Sequence, residues 1–266
     1  MSYLFRDQSW PQIQEHLEEK SLLILPVGTT EEHGPHLPVD TDARIAEAYG
    51  QRLAAALALE MPVLLMDTIR YGYSMQIMRQ WPGTIVVRSR VFMDMIFDIC
   101  RSVLDMGFSK LALLDCHGHH GGPLNTVSRE LCDACDKAIA IISPAVLSRE
   151  EFNAVRKSPQ GGSIHADEWE TALLRYLSPE VVNMSKATDI DIMRYHSDFV
   201  AGDNFTGRQR VTWSTWYLQA SQSGCYGDPT VATAETGKVI MDAAVANGAR
   251  FLQEYWSMLT TVTAHP

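Results

Sequence analysis

The sequence predicts an α/β fold, a three-layer sandwich in which a mostly parallel sheet carries helices on both faces. Three observations predict it. Short apolar runs of strand length recur through the first half of the 266 residues. Segments with apolar residues at helical spacing separate them. The runs are apolar on successive residues rather than on alternate ones, as in strands buried on both faces.

Taken in order, residues 21–28 (SLLILPVG) form a run closed by glycine and read as the first strand. Residues 42–60 (DARIAEAYGQRLAAALALE) place Ala and Leu at helical spacing. Residues 62–67 (PVLLMD) read as a second strand. Residues 87–108 read as a long amphipathic helix with Phe92, Ile96, Cys100, Val103 and Leu104 along one face. A third strand, 110–116 (KLALLDC), a helix over 123–137 and a fourth strand, 138–144 (AIAIISP), complete the alternation. Residues 165–174 open a further amphipathic helix, and residues 228–259 read as one or two closing helices. Between about 189 and 227 there is no clear period, although Trp213, Trp216 and Tyr217 lie there. Such a segment reads either as a functional lid or subunit contact, or as a plain surface excursion.

Composition narrows the function classes. The formal charge is −10, which argues against nucleic-acid binding and against docking on anionic lipid. The N-terminus lacks a basic segment followed by an apolar run, so no secretory signal is expected. No apolar stretch reaches the length of a membrane span. The five cysteines are read as free thiols in a reducing, cytoplasmic setting. Cys132-x-x-Cys135 lies inside a predicted helix and has no second pair, so it reads as two partly buried thiols rather than a redox or zinc motif.

The chemistry concentrates after two strands. Parallel strands joined by crossover helices present their carboxyl ends on one side, where ligands bind in open α/β sheets. The first strand leads into Thr29–Asp42 (TTEEHGPHLPVDTD) and the third into DCHGHHGG at 115–122. Together they bring Glu31, His33, His36, Asp42, His117, His119 and His120 to one edge. Carboxylate plus imidazole is the ligand set of Zn²⁺, Mn²⁺ or Fe²⁺. Asp42 alone could instead cap the following helix. In a third cluster, His165-Ala166-Asp167-Glu168-Trp169-Glu170, the acids could simply favour a helix N-terminus, and spacing does not choose.

These stretches resemble the creatininase (creatinine amidohydrolase) family. The matching segments are 25–42 (LPVGTTEEHGPHLPVDTD), 71–84 (YGYSMQIMRQWPGT), 113–122 (LLDCHGHHGG), 162–174 (GSIHADEWETALL) and 224–233 (GCYGDPTVAT), in family order. The resemblance implies one domain over 1–266, a ring-like homo-oligomer (a hexamer) and a two-metal site using Zn²⁺ and/or Mn²⁺, or Fe²⁺. It implies Glu31, His33, Asp42 and His117 as ligands, with Asp42 bridging. Glu170 is the expected further carboxylate, both ligand and catalytic group, with His119 the alternative. His165 matches a histidine of proton transfer. Asp40, Glu32 and His36 would orient the ligands. Arg79 or the turn at 81–84 would meet substrate or a neighbouring subunit.

The implied activity is hydrolysis of the C–N bond of a small cyclic or linear amide by a metal-activated water. Alternatives are a lactone or ester-like ring, a formamide deformylase, or a metal-binding protein without catalysis. Gly118 replaces an aromatic residue of creatininase, and Met75-Gln76-Ile77-Met78 replaces a polar stretch. Both departures point away from creatinine itself and toward a more apolar pocket wall.

Overall fold

The computed structural model describes residues 2–188, 190–212 and 221–258. Helix α1 (Trp10–Glu18) leads into β1 (Leu22–Val27), followed by α2 (Thr41–Leu57), β2 (Val63–Leu65), α3 (Ser89–Met106), β3 (Leu111–Asp115), α4 (Gly121–Cys135) and β4 (Ala140–Ile142). The four strands form one sheet in the order β2-β1-β3-β4, and every pairing is parallel. The expected alternation is therefore present. The expected strands and helices are mostly trimmed at their ends, but α2 starts one residue before its predicted Asp42 and α4 two residues before its predicted Pro123.

The sheet is apolar on both faces because both are covered. Leu22 and Ile24 of β1, with Ala112 and Leu114 of β3, pack with Leu53 of α2 and with Ile240 and Ala244 of α8 (Ala234–Ser257). Leu23, Leu25 and Val27, with Leu111 and Leu113, pack with Phe92 and Ile96 of α3 and Leu124 of α4. Each buried side chain of this size contributes about 1.5–3 kcal/mol. The five residues predicted along one face of α3 are its buried ones.

The chain enters the sheet at β1, crosses through α2 to β2 at one edge, then returns through α3 to β3 on the other side of β1. The carboxyl ends of β1 and β3 thus lie side by side while their following helices diverge. That is the crevice where an α/β sheet places ligands.

After β4 come α5 (Pro144–Leu147), α6 (Arg149–Val155) and β5 (Ser163–His165), which pairs antiparallel with β6 (Tyr226–Gly227). Helix α7 (Glu168–Leu177) begins three residues later than the predicted 165, because Asp167 caps it by accepting from the Glu170 amide. One helix closes the fold: α8 starts only at Ala234, where the Thr233 side chain accepts from the Thr236 amide. The predicted end of that helix at Leu259, and Trp213, Trp216 and Tyr217, lie outside the described residues.

Candidate metal centre and its cavity

Three pieces of backbone converge on the crevice. The loop after β1 carries Glu31 and His33, and α2 presents Asp42 in its first turn. Gly28 makes this approach possible: a Cβ there would sit 2.7 Å from the backbone of Ala43. The loop after β3 carries His117 and His119, and β5 with α7 brings His165 and Glu170. Between them Ala166 adopts φ +48°, a left-handed conformation that is strained for a residue with a Cβ and recurs at functional sites. Its amide donates to Glu170 Oε2 at 2.6 Å.

The side chains gather as two groups, Glu31 with His117 and His119, and His33 with His165 and Glu170. Within each, three potential ligand atoms lie within 4.8 Å of one another. Asp42 stands between the groups. Its Oδ1 is 3.4 Å from His33 Nε2, and its Oδ2 is 2.9 Å from His117 Nδ1 without lining up as a hydrogen bond. Glu31 Oε2 lies 3.6 Å from His117 Nε2 and Oε1 3.7 Å from His165 Nδ1. Glu170 Oε1 lies 3.6 Å from His33 Nε2.

Ring orientation follows from backbone partners. His33 Nδ1 is 2.9 Å from the Glu31 carbonyl. A carbonyl only accepts, so Nδ1 carries a hydrogen there and Nε2 is the ring atom turned toward Asp42 and Glu170. His165 Nε2 is likewise 2.8 Å from the Glu32 carbonyl, which leaves Nδ1 on the side of Glu31.

Electrostatics are those of acids and imidazoles pressed together out of water. Burial opposes protonation of His33, but Asp42 and Glu170 outweigh it and hold its pKa well above the usual range. Burial and His33 also oppose protonation of His165, yet Glu32 and Glu170 push it up to about 9. Burial works against the charge on Asp42, and His33 and His117 overcome it and hold the carboxyl well below the usual range. For His119 burial, with His117 and His165, outweighs the pull of Asp42 and lowers it well below an ordinary histidine.

The donor set fits divalent ions. Glu31 is fully buried, and neither of its oxygens accepts a hydrogen bond; His33 Nε2 and His117 Nε2 are also buried without one. A buried carboxylate with no donor is costly unless a cation meets it. Glu31, Asp42, His117 and His119 on one side, and His33, Asp42 and Glu170 on the other, would hold two ions through O and N atoms suited to Zn²⁺ or Mn²⁺, with His165 beside the second group.

Every ligand named from the sequence is in this cluster, and Glu170 and His119 do not compete for one place but sit in different groups. Of the expected orienting residues, Glu32 Oε1 lies 3.4 Å from His165 Nε2. His36 Nε2 is 2.8 Å from the Thr171 hydroxyl. Asp40 instead pairs with Arg44 at the surface. Arg79 donates to Gln76 and does not line the cavity beside the cluster, nor do residues 81–84. Met78 is fully buried in the protein interior rather than in that cavity's wall. Cys132 and Cys135 are partly buried on α4 and join neither metal-ligand group.

A cavity of about 280 Å³ opens over Glu31, His117, His165 and Glu170. Part of its wall, Pro144, Ala145 and Val146 with Trp169, Asn204 and Phe205, was not anticipated from the sequence. The first three directly follow β4, so the strand-end rule that located the histidines would have found them. Asn204 and Phe205 come from the irregular segment, whose sequence carries no periodic signal. Bidentate pairing of Arg156 with Asp203, both contacts at 3.0 Å, anchors them.

A family model described as Creatininase: Creatinine amidohydrolase matches residues 6–252. The chain is 29% identical over 257 residues to a mycofactocin precursor peptide peptidase of Mycobacterium tuberculosis, covering 90% of this chain and 88% of that protein. It is 29% identical over 198 residues to a 3-dehydro-scyllo-inosose hydrolase of Thermotoga maritima, covering 70% of this chain but only 60% of that protein's length. A solved structure described as creatininase Mn superposes with a TM-score of 0.79 over 97% of this chain and all of the other, at 20% identity, a likeness of fold.

Proposed function

Since the chain belongs to the creatininase family, we propose that it is a metal-dependent amidohydrolase that cuts the C–N bond of a small cyclic or linear amide. The coarser statement, a hydrolase of that family, follows from membership itself. One observation carries the finer reading: the two oxygens of Asp42 face two separate imidazole–carboxylate groups, the arrangement expected of a carboxylate shared by two ions.

In this reading Glu31, His33, Asp42, His117 and Glu170 would hold the ions, with His119 completing the group around Glu31. A pair of divalent ions there supplies water activation near neutral pH and polarisation of the scissile carbonyl. His165 is the proton donor. Its Nε2 is anchored on the Glu32 carbonyl, so Nδ1 delivers the proton to the leaving nitrogen. Glu170 is steadied by the Ala166 amide through one oxygen and keeps the other toward His33. The Trp169 and Phe205 rings wall the cavity and exclude water from around the reacting carbonyl.

Relatives named as a peptide peptidase and as a creatinine amidohydrolase of Pseudomonas putida favour an amide. The relative named as an inosose hydrolase supports a second reading, opening of a lactone or other ring without nitrogen. We expect a homo-oligomer, a hexamer, on the family resemblance, and a cytoplasmic setting on the free thiols. No helix among the described residues is long and apolar enough to cross a membrane.

The test is a panel of small amides, lactams and lactones assayed before and after chelation and after return of Mn²⁺ or Zn²⁺. Chelation should abolish turnover and either metal should restore it. Turnover undiminished in verified metal-free protein would refute the proposal, and cleavage confined to lactones would move it to the second reading.

A further inference from the structure

We propose that Arg149 makes the cavity selective for substrates that carry a carboxylate beside the scissile amide, on an apolar side chain. This rests on reading the cavity as the hydrolytic site. Four carboxylates line it, Glu31, Asp115, Asp167 and Glu170, against a single cationic side chain other than histidine, Arg149. The acids are already engaged. Glu31 and Glu170 belong to the candidate ligand groups. Asp167 caps α7 and accepts from the Ser163 hydroxyl. Asp115 accepts from the His117 amide.

Arg149 is different. It stands at the start of α6, exposed at the cavity, and among the described residues it forms no ion pair. One guanidinium nitrogen, Nη2, donates to the Asn204 carbonyl at 3.2 Å. A guanidinium has five N–H donors in a rigid fork, so this single bond holds the group at the wall and leaves donors for a ligand oxygen pair.

The wall it holds is itself fixed. The Asn204 amide donates to the Ser163 carbonyl at 3.0 Å, its side chain donates to the Ile164 carbonyl at 2.9 Å, and Asn153 donates to the Phe205 carbonyl at 3.0 Å. A cation preset on a rigid wall recognises a planar carboxylate bidentately with little ordering cost. Pro144, Ala145, Val146, Ile164, Trp169 and Phe205 make much of the lining apolar. A ligand reaching from the imidazoles to Arg149 therefore runs along an apolar wall that suits a hydrocarbon side chain beside its carboxylate.

The matched probes are N-acetyl-leucine and N-(3-methylbutyl)acetamide, which differ only by the carboxylate. In the metal-loaded enzyme kcat/KM and calorimetric Kd should favour N-acetyl-leucine by about tenfold or more. Arg149→Ala should remove that preference while changing the amine-derived amide by less than about twofold. Arg149→Lys should restore part of it, and Arg149→Glu should reverse it. The Ala and Lys variants should melt with the wild type, since the side chain is exposed. Equal handling of both probes by wild type, no detectable binding of either, or an equal loss on both in Arg149→Ala would overturn the assignment. Selective binding of the carboxylate without cleavage of either probe would leave Arg149 standing and count against the amidohydrolase reading instead.

Discussion

The Ala166 amide holds one oxygen of Glu170 at 2.6 Å while the other faces His33 Nε2 at 3.6 Å. A strained residue, at φ +48°, thus aims a carboxylate into the centre. Glu170→Gln keeps the shape and the capping geometry of α7 but removes the charge. It should lower metal affinity and turnover by about 100-fold or more with the melting temperature of the metal-free protein within a few degrees of wild type. Metal titration followed by calorimetry checks it.

Glu31 is a fully buried carboxylate whose oxygens accept no hydrogen bond, and the imidazoles of His117 and His165, 3.6 and 3.7 Å away, compensate its desolvation only in part until a metal ion arrives. Glu31→Gln should therefore stabilise the metal-free protein by about 1–3 kcal/mol and abolish most of the stabilisation that Mn²⁺ or Zn²⁺ confers on the wild type. Denaturant melts of the two proteins, with and without metal, measure both effects. A variant less stable than wild type in the absence of metal would contradict the account.

The Arg156–Asp203 pair anchors the Asn204–Phe205 wall, and both side chains are almost fully enclosed. Burial alone would raise the Asp203 pKa, but the Arg156 guanidinium and the amides of Phe205 and Thr206 hold it below the ordinary range. A depressed folded-state pKa contributes stability that is present above the unfolded value, about 4, and is lost as pH falls through the folded one. Asp203→Asn should cost about 3 kcal/mol near neutrality, and the gap between wild type and variant should shrink below about pH 4. Unfolding curves across that range report it.

Gly28 lets the end of β1 meet the first turn of α2, where a Cβ would lie 2.7 Å from the backbone of Ala43. Because the obstacle is backbone, it cannot rotate away. Gly28→Ala should cost about 2–3 kcal/mol and, by displacing Asp42, weaken metal binding as well. The same protein followed by chemical denaturation and by metal titration separates the two losses.

The order of the four sheet strands and of the helices between them, the buried face of α3 and the grouping of acids with histidines at two strand ends were all readable along the chain. Each depends on near-neighbour chemistry: runs that exclude water on both sides, apolar residues a helical turn apart, ligands that follow a strand. The resemblance over the third cluster added His165 and Glu170, which spacing left undecided. Tertiary folding alone decided that Glu170 and His119 lie in different groups, that Asp42 lies between them, and that Asn204 and Phe205 line the cavity. These relations join residues far apart in the chain, Asp42 with His117 and His33 with Glu170, through side-chain distances of a few ångströms. No local periodicity encodes such distances, because the packing of α2, α7 and the loops against the sheet sets them.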